Sequence, residues 1–201
     1  MRAWKQVDEE HASCLEAGSL RIGTLDDYGS LENGRADPLD GAVQTDFGML
    51  LEYNPQDQDY LRHVGEKTGL YMSGSVFGGS LIRQVRRIYS FCMSEVGCDY
   101  DPSPEIPKAV FEVLGVTTLS NILATKNSER LARATYGRVT YDARILTPPE
   151  HLVEPDPFSK RPEFSHEREI RIVFPAVSGS PFETLYTTAD PEVASLFRRI
   201  S

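Results

Sequence analysis

In residues 163–175, EFSHEREIRIVFP, charged and apolar side chains alternate over positions 169–172 and are followed by Val and Phe, which favours a β-strand over a helix. Successive side chains of a strand point to opposite faces of its sheet. One face of this strand would carry Glu167, Glu169 and Arg171, and the other would be mostly apolar. The chain must therefore fit a strand with two carboxylates and a guanidinium on one side into a sheet whose other side is apolar.

Segments with strand character outnumber helical segments and do not alternate with them. Strands are predicted at 19–25, 42–53, 68–78, 81–95, 108–115, 136–146 and 182–189, and helices at 7–18, 117–134 and 191–200. Without regular alternation, a doubly wound parallel sheet is not expected. The pattern predicts an α+β fold, with a mostly antiparallel β core and about three flanking helices, in a single domain over residues 1–201. Prolines concentrated in residues 147–163 predict an extended arm.

The composition indicates a globular protein of a reducing compartment. The 201 residues carry a net charge of −9, which disfavours nucleic acid at long range. Cys14, Cys92 and Cys98 show no CxxC spacing, so neither a disulfide framework nor a structural zinc site is expected. A cytoplasmic location fits best. The sequence has no apolar run of about 18 residues, so no membrane span is expected.

The P-loop, dinucleotide-binding, zinc-protease and nucleophile-elbow signatures are all missing from the sequence. The clearest constellation is the pair Glu167 and Glu169, whose positions would lie roughly 7 Å apart on one strand face. Lys160 and His166 are close upstream. Such a pair could bind a cation, exchange protons or orient a sugar hydroxyl. The alternative is a solvated strand face with ion pairs across the sheet.

A second cluster follows the strand predicted at 19–25. Arg21 and Thr24 lie near its end, and Tyr28 follows in an Asp- and Gly-rich loop over residues 26–40. Long loops at strand ends commonly carry function. The alternative is a turn that uses Asp and Gly for backbone reasons.

A third cluster is the alternating series Ser90, Cys92 and Ser94, which would share one strand face. Small hydroxyls let a ligand approach a strand closely, although they also suit a solvent-facing side. The sequence indicates no general base beside Cys92, so a buried, unreactive thiol is expected there.

Four stretches, taken in order, resemble the bacterial DUF2971 group of proteins. They are SLRIGTLDDYGSLENGRADPLDG, YSFCMSE, YGRVTYDAR and KRPEFSHEREIRIVF, and they span roughly residues 15–175. Members of that group have a strand leading to a D-P-x-D/E-G loop, a C-F-S strand and a closing block with lysine, glutamate and arginine. The group's common MWxHYAxxHxG segment is replaced here by VGCDYDPSPE. The group name implies no activity.

The order of an arginine strand, a serine strand and an E-x-E strand is also similar to the R-S-E class of ADP-ribosyltransferases, whose split antiparallel β core clamps NAD. This resemblance implies that Arg21 holds the NAD phosphates and that Ser90 or Ser94 braces the nicotinamide side. It implies that Glu169 binds a ribose hydroxyl and stabilises an oxocarbenium-like transition state, while Glu167 orients the acceptor. The usual S-T-S of the serine strand reads SFCMS here.

The resemblance implies NAD as a substrate, a small nucleotide ligand and a protein or nucleic-acid acceptor. It fits a bacterial or phage conflict effector. The remaining predicted residues are Thr24 and Tyr28 on the cofactor side, and Lys160, His166 and Arg171 on the substrate side.

Two other functions stay open. A metal-dependent phosphoesterase or nuclease would gather loop aspartates and the two glutamates around a divalent cation, with Lys160 polarising the substrate. The aspartates are Asp26, Asp37 and Asp40. A non-enzymatic sensor or partner-binding module would use the charged strand face as a structural network. A concave cleft shared by Glu169 and Arg21 would favour a site over that structural network.

Overall fold

The computed structural model describes residues 1–25, 40–46, 80–85, 87–98, 108–142, 145–146 and 155–201. The strands are β1 (Ala3–Asp8), β2 (Arg21–Thr24), β3 (Ala42–Asp46), β4 (Ser80–Gln84), β5 (Ile88–Ser94), β6 (Lys108–Val113), β7 (Thr135–Arg138), β8 (Thr140–Tyr141), β9 (Ile145–Leu146), β10 (Ser159–Lys160), β11 (Glu169–Pro175), β12 (Leu185–Tyr186) and β13 (Phe197–Arg199). The α-helices are α1 (Ala12–Glu16), α2 (Val116–Lys126) and α3 (Pro191–Ala194), and 3-10 helices cover Glu9–His11 and Pro162–Glu167.

These elements confirm the predicted α+β fold with a mostly antiparallel sheet. The strand predicted at 68–78, most of the loop at 26–40 and much of the proline-rich arm lie outside the described residues. Of the helices that the structure describes, none has the length and apolar character needed to cross a bilayer.

The main sheet has eight strands, and its neighbouring strands run antiparallel. β5 pairs with β11 along its whole length, from Ile88 opposite Pro175 to Ser94 opposite Glu169. β7 lies beyond β11. There are two smaller sheets. One contains β3, β4 and β9, and the other contains β8 and β10.

The other edge of β5 is shared by two strands, so the sheet forks there. β1 pairs with β5 at Ser94 and continues the sheet through β6 to β13. β2 pairs with residues 89–90 of β5 and continues to β12. Residues 91–93 lie between these two contacts, and we call this gap the fork.

One face of β5 and β11 packs into the core beneath helix α2. Alternate residues of the two strands are buried there with Leu119 and Leu123 of the helix: Tyr89, Phe91, Met93, Ile170, Ile172 and Phe174. Burying a large apolar side chain contributes about 1.5–3 kcal/mol. The opposite face carries the polar series of β5 and the charged residues of β11, so the predicted two-faced strand is confirmed for residues 169–174.

The strand predicted over residues 163–175 begins later than expected. Pro162–Glu167 form a 3-10 helix, and β11 starts at Glu169. Pro162 suits the first turn because its φ is fixed. Arg168 adopts a φ of 46°, a left-handed conformation that continues neither helix nor strand. Glu167 is therefore not on the strand face, contrary to the prediction.

The helix predicted over residues 7–18 is wrong in its first half. Ala3–Asp8 form β1, which pairs with β6 at every position, and the α-helix covers Ala12–Glu16. Backbone pairing outweighs the local polar pattern because the strand joins an existing sheet. Gly18 ends the helix with a φ of 75°, as predicted. A Cβ there would lie 2.1 Å from the carbonyl oxygen of Asp190.

Two further boundaries differ from the prediction. The helix predicted over residues 191–200 ends at Ala194, and Phe197–Arg199 pair with β6 as β13. So short a helix has little stability of its own. The single strand predicted over residues 81–95 is divided near Arg87, whose φ is 58°, into β4 and β5 of different sheets.

Candidate functional site

A cavity of about 660 Å³ opens at the fork. Its described walls come from β1, α1, the start of β2, β5 and β11, and they include residues 91–94, Glu169 and Arg171. This volume lies within the range of about 300–1,000 Å³ that is typical of small-molecule sites. Glu169 and Arg21 both line it. The charged strand therefore faces a concave site.

The guanidinium of Arg171 is fully buried, and all five of its N–H groups reach acceptors of the chain. Nε and Nη2 donate to Glu169 at 2.6 and 3.2 Å. Nη1 and Nη2 donate to the two carboxylate oxygens of Asp40 at 2.6 and 2.8 Å. Nη1 also donates to the carbonyl of Pro157 at 2.6 Å. Arg171 therefore holds two carboxylates and one loop carbonyl in place.

Glu169 is a buried carboxylate that stays ionised. Burial opposes its charge, but Arg171 and Lys160 outweigh this effect and hold the pKa of Glu169 well below its usual range. Its backbone N–H donates to Tyr141 Oη at 2.8 Å, which anchors the start of β11. A fixed negative charge in a cavity is suited to stabilising a developing positive charge.

Lys160 bridges the two glutamates. Its Nζ lies 2.5 Å from Glu167 Oε2 and 3.0 Å from Glu169 Oε2. Although burial opposes the ammonium, Glu169 and Glu167 raise the pKa of Lys160 above its usual value. Burial raises the pKa of Glu167. The two carboxylates thus differ, and Glu167 is the one better suited to exchange a proton.

The thiol of Cys92 shares this face of the sheet. Burial, and then Glu169, raise the pKa of Cys92 to about 12. Ser90 Oγ lies 3.3 Å from its sulfur. Because the thiolate is the reactive form, the raised pKa of Cys92 supports the expectation of an unreactive cysteine, although the Ser90 contact acts in the opposite direction.

Iodoacetamide at pH 8 is expected to alkylate the exposed Cys14 about two to three orders of magnitude faster than Cys92. The reason is that a thiol with a pKa of about 12 carries almost no thiolate at that pH. Mass spectrometry of digested samples over time measures both rates, with Cys14→Ser as the control. Equal rates at the two cysteines would contradict the assignment.

Most of the predicted site residues meet at the cavity. Its lining includes Arg21, Ser94, Lys160, Glu167, Glu169 and Arg171, together with the loop residue Asp40. Thr24 and Ser90 are buried and are not among the described lining residues. His166 is exposed on the 3-10 helix. Tyr28, Asp26 and Asp37 lie outside the described residues.

Three residues of the site were missed by the sequence interpretation. Trp4 and Lys5 line the cavity from β1, and Tyr141 supports Glu169 from β8. Residues 3–8, AWKQVD, show no regular alternation of apolar and polar side chains, so the strand is defined by its pairing with β6. No local pattern marks Tyr141, because its partner lies 28 positions away in the chain.

A divalent cation beside Glu169 would compete with cations of the protein itself. Arg171 joins Asp40 to Glu169, and Lys160 joins Glu169 to Glu167. Within the described ranges, the possible cation ligands that lie within 4.8 Å of one another are Asp8, Glu10 and His11, beside the β1 wall of the cavity. The arrangement at Glu169 therefore suits an organic ligand better than a metal ion.

Comparisons with protein-family models, with curated proteins and with solved structures each returned no significant match. The resemblances to the DUF2971 group and to ADP-ribosyltransferases therefore stay predictions.

Proposed function

We propose that this protein is a NAD-consuming enzyme that acts as an ADP-ribosyltransferase or NAD glycohydrolase. The observation that carries the proposal is the position of Glu169, an ionised and almost buried carboxylate on the wall of a cavity that Arg21 also lines. The sheet opens at the fork between β1 and β2. The resemblance to ADP-ribosyltransferases, whose split β core clamps NAD, implies that the ligand binds at such an opening.

In the proposed reaction, the bond between the nicotinamide nitrogen and the ribose carbon breaks. Its electron pair leaves with nicotinamide, and the ribose becomes an oxocarbenium-like cation. The carboxylate of Glu169 stabilises that cation because it is already charged and held in place by Arg171. Water or an acceptor nucleophile then attacks the ribose carbon and loses its proton, for which Glu167 is the nearby carboxylate with a raised pKa.

The remaining roles follow from position. Arg21 is exposed at the start of β2 and lines the cavity, which suits contact with NAD phosphates. Ser94 lines the cavity and donates to the carbonyl of Trp4 at 3.4 Å, so it suits the nicotinamide side better than the fully buried Ser90.

Calorimetric titration of the protein with NAD tests the proposal. We expect Arg21→Ala to weaken NAD binding by about tenfold or more, the effect of losing one charge-assisted contact. Arg133→Ala is the matched control, because Arg133 is also exposed and does not line the cavity. Absence of NAD binding by the wild type, or equal weakening by both variants, would contradict the proposal.

A second candidate is a partner-binding protein without catalysis. This candidate is favoured because the carboxylate oxygens of Glu169 already accept hydrogen bonds from groups of the protein itself. The donors are Arg171, Lys160 and the Cys92 thiol. A ribose hydroxyl would have to replace the thiol, which is the weakest of these donors. Nicotinamide release by the wild type separates the two candidates, because only the enzyme produces it.

A further inference from the structure

Two of the cations that line the cavity have no carboxylate partner within the described ranges. The lysine and arginine side chains of the described lining are Lys5, Arg21, Lys160 and Arg171. Lys160 and Arg171 are paired with all but one of the carboxylates in this lining. The remaining carboxylate, Asp8, is paired with Lys108, which does not line the cavity. The described residues therefore leave Lys5 and Arg21 without an ion pair.

The contacts of Lys5 are those of a charged ammonium. Its Nζ donates to the carbonyl oxygen of Cys92 at 2.8 Å and lies 4.9 Å from the centre of the Phe91 ring. A carbonyl oxygen and the face of an aromatic ring both stabilise a cation, and neither carries a full negative charge that would neutralise it. An ammonium has three N–H groups, and the described residues accept a hydrogen bond from one of them. Lys5 can therefore donate to a ligand without losing its present contacts.

Lys5 and Arg21 lie on the two strands that diverge at the fork, β1 and β2. Burial lowers the pKa of Lys5, and the charge of Arg21 acts in the same direction, while Cys92 and Glu169 act against them. The two cations are therefore close enough to repel one another. An anion bound between β1 and β2 would remove this repulsion and supply the missing ion pairs.

An aromatic side chain lies next to this pair of cations. Tyr186 of β12 is directly opposite Arg21 of β2, and it also lines the cavity. Side chains at opposite positions of an antiparallel pair lie on the same face of the sheet. Tyr186 is 70% exposed, which is the largest exposure among the described large hydrophobic side chains. An accessible aromatic ring beside a cationic site is suited to stacking against a nucleobase.

We propose that Lys5 and Arg21 bind the two phosphates of a diphosphate across the fork, and that Tyr186 stacks on the base, so that the ligand is a nucleoside diphosphate or an ester of one. A diphosphate ester carries one negative charge on each phosphate, which matches one cation on each side of the fork. NAD belongs to this class. The inference rests on the proposed function for the phosphate contact of Arg21, but it does not require NAD cleavage.

Calorimetric titration of the intact protein with ADP tests the phosphate contact of Lys5. We expect Lys5→Met to weaken ADP binding by about tenfold or more, the cost of losing one charge-assisted hydrogen bond. Lys5→Arg keeps the cation and the donor and should retain most of the affinity. Lys126→Met is the control, because Lys126 is exposed and paired with Asp190 and Glu192. Absence of ADP binding by the wild type, or an unchanged affinity in Lys5→Met, would overturn the proposal.

The base contact is tested by a second variant. Tyr186→Leu should weaken ADP binding at least about fivefold, the lower end of the effect of removing one stacked ring. It should leave the affinity for inorganic diphosphate, which has no base, unchanged. An unchanged affinity of this variant for ADP would overturn the base contact. ADP contains no nicotinamide, so ADP binding without nicotinamide release from NAD would contradict the proposed enzyme and leave the diphosphate site standing.

Discussion

Replacing Arg171 with methionine is expected to lower the free energy of unfolding by about 3–5 kcal/mol. The change leaves the carboxylates of Asp40 and Glu169 buried without the guanidinium that neutralises them, and it removes the donor to the carbonyl of Pro157. Urea unfolding of the wild type and the variant measures the difference. The same substitution at Arg199, which forms partly exposed ion pairs with Glu9 and Glu16, should cost no more than about 1 kcal/mol.

The loss of unfolding free energy in the Arg171→Met variant should depend on pH. In the wild type, the pKa of Glu169 is below its unfolded-state value despite burial. Its stabilising contribution is therefore present above about pH 4.3 and is lost as the pH falls through the folded value. In the variant, which lacks Arg171, burial raises the pKa of Glu169. Protonation of this carboxyl at low pH therefore stabilises the folded variant relative to the folded wild type. We expect the difference in unfolding free energy to shrink between about pH 5 and pH 3. A constant difference over that range would show that the guanidinium acts by packing alone.

Replacing Glu169 with glutamine is expected to slow nicotinamide release from NAD by about 10²–10³-fold, the usual cost of removing one preorganised electrostatic contact. Glutamine keeps the shape of the side chain and removes the charge that would face the ribose cation. The rate at saturating NAD measures this effect, and calorimetry shows whether NAD still binds.

Stability has to be separated from catalysis in this experiment, because the amide also disturbs the contacts with Arg171 and Lys160. Only variant protein with the wild-type circular dichroism spectrum should be assayed. Glu163→Gln is the control, since Glu163 is exposed on the neighbouring 3-10 helix and pairs with Arg161 at 2.8 Å. A folded Glu169→Gln protein with more than about a tenth of the wild-type rate would contradict the catalytic assignment.

The parts of the site that could be predicted from the sequence are those set by strand periodicity. The period of two places Glu169 and Arg171 on one face of β11 and Ser94 on the matching face of β5. The position of Glu167 could not be predicted in this way, because the left-handed Arg168 interrupts the period. Glu167 nevertheless reaches Lys160 from the 3-10 helix.

Long-range partners were beyond sequence interpretation for a different reason. Nothing local to Asp40 indicates that it would form a bidentate pair with Arg171 and not a solvated turn. Likewise, β1 acquires its strand conformation from pairing with β6, more than 100 residues later in the chain at some positions. The conformation and the partners of such polar residues are determined by the assembled sheet, and only weakly by their neighbours in sequence.

The contact between Asp40 and Arg171 joins positions 131 residues apart. Contacts of such separation form after the local ones, because a long loop must close first. The bonds from Arg171 to Glu169 span only two residues, so closure completes a network that begins within one strand. An incompletely synthesised or partly folded chain therefore lacks the completed network, so the pair of Asp40 and Arg171 distinguishes the assembled structure from its separate strands.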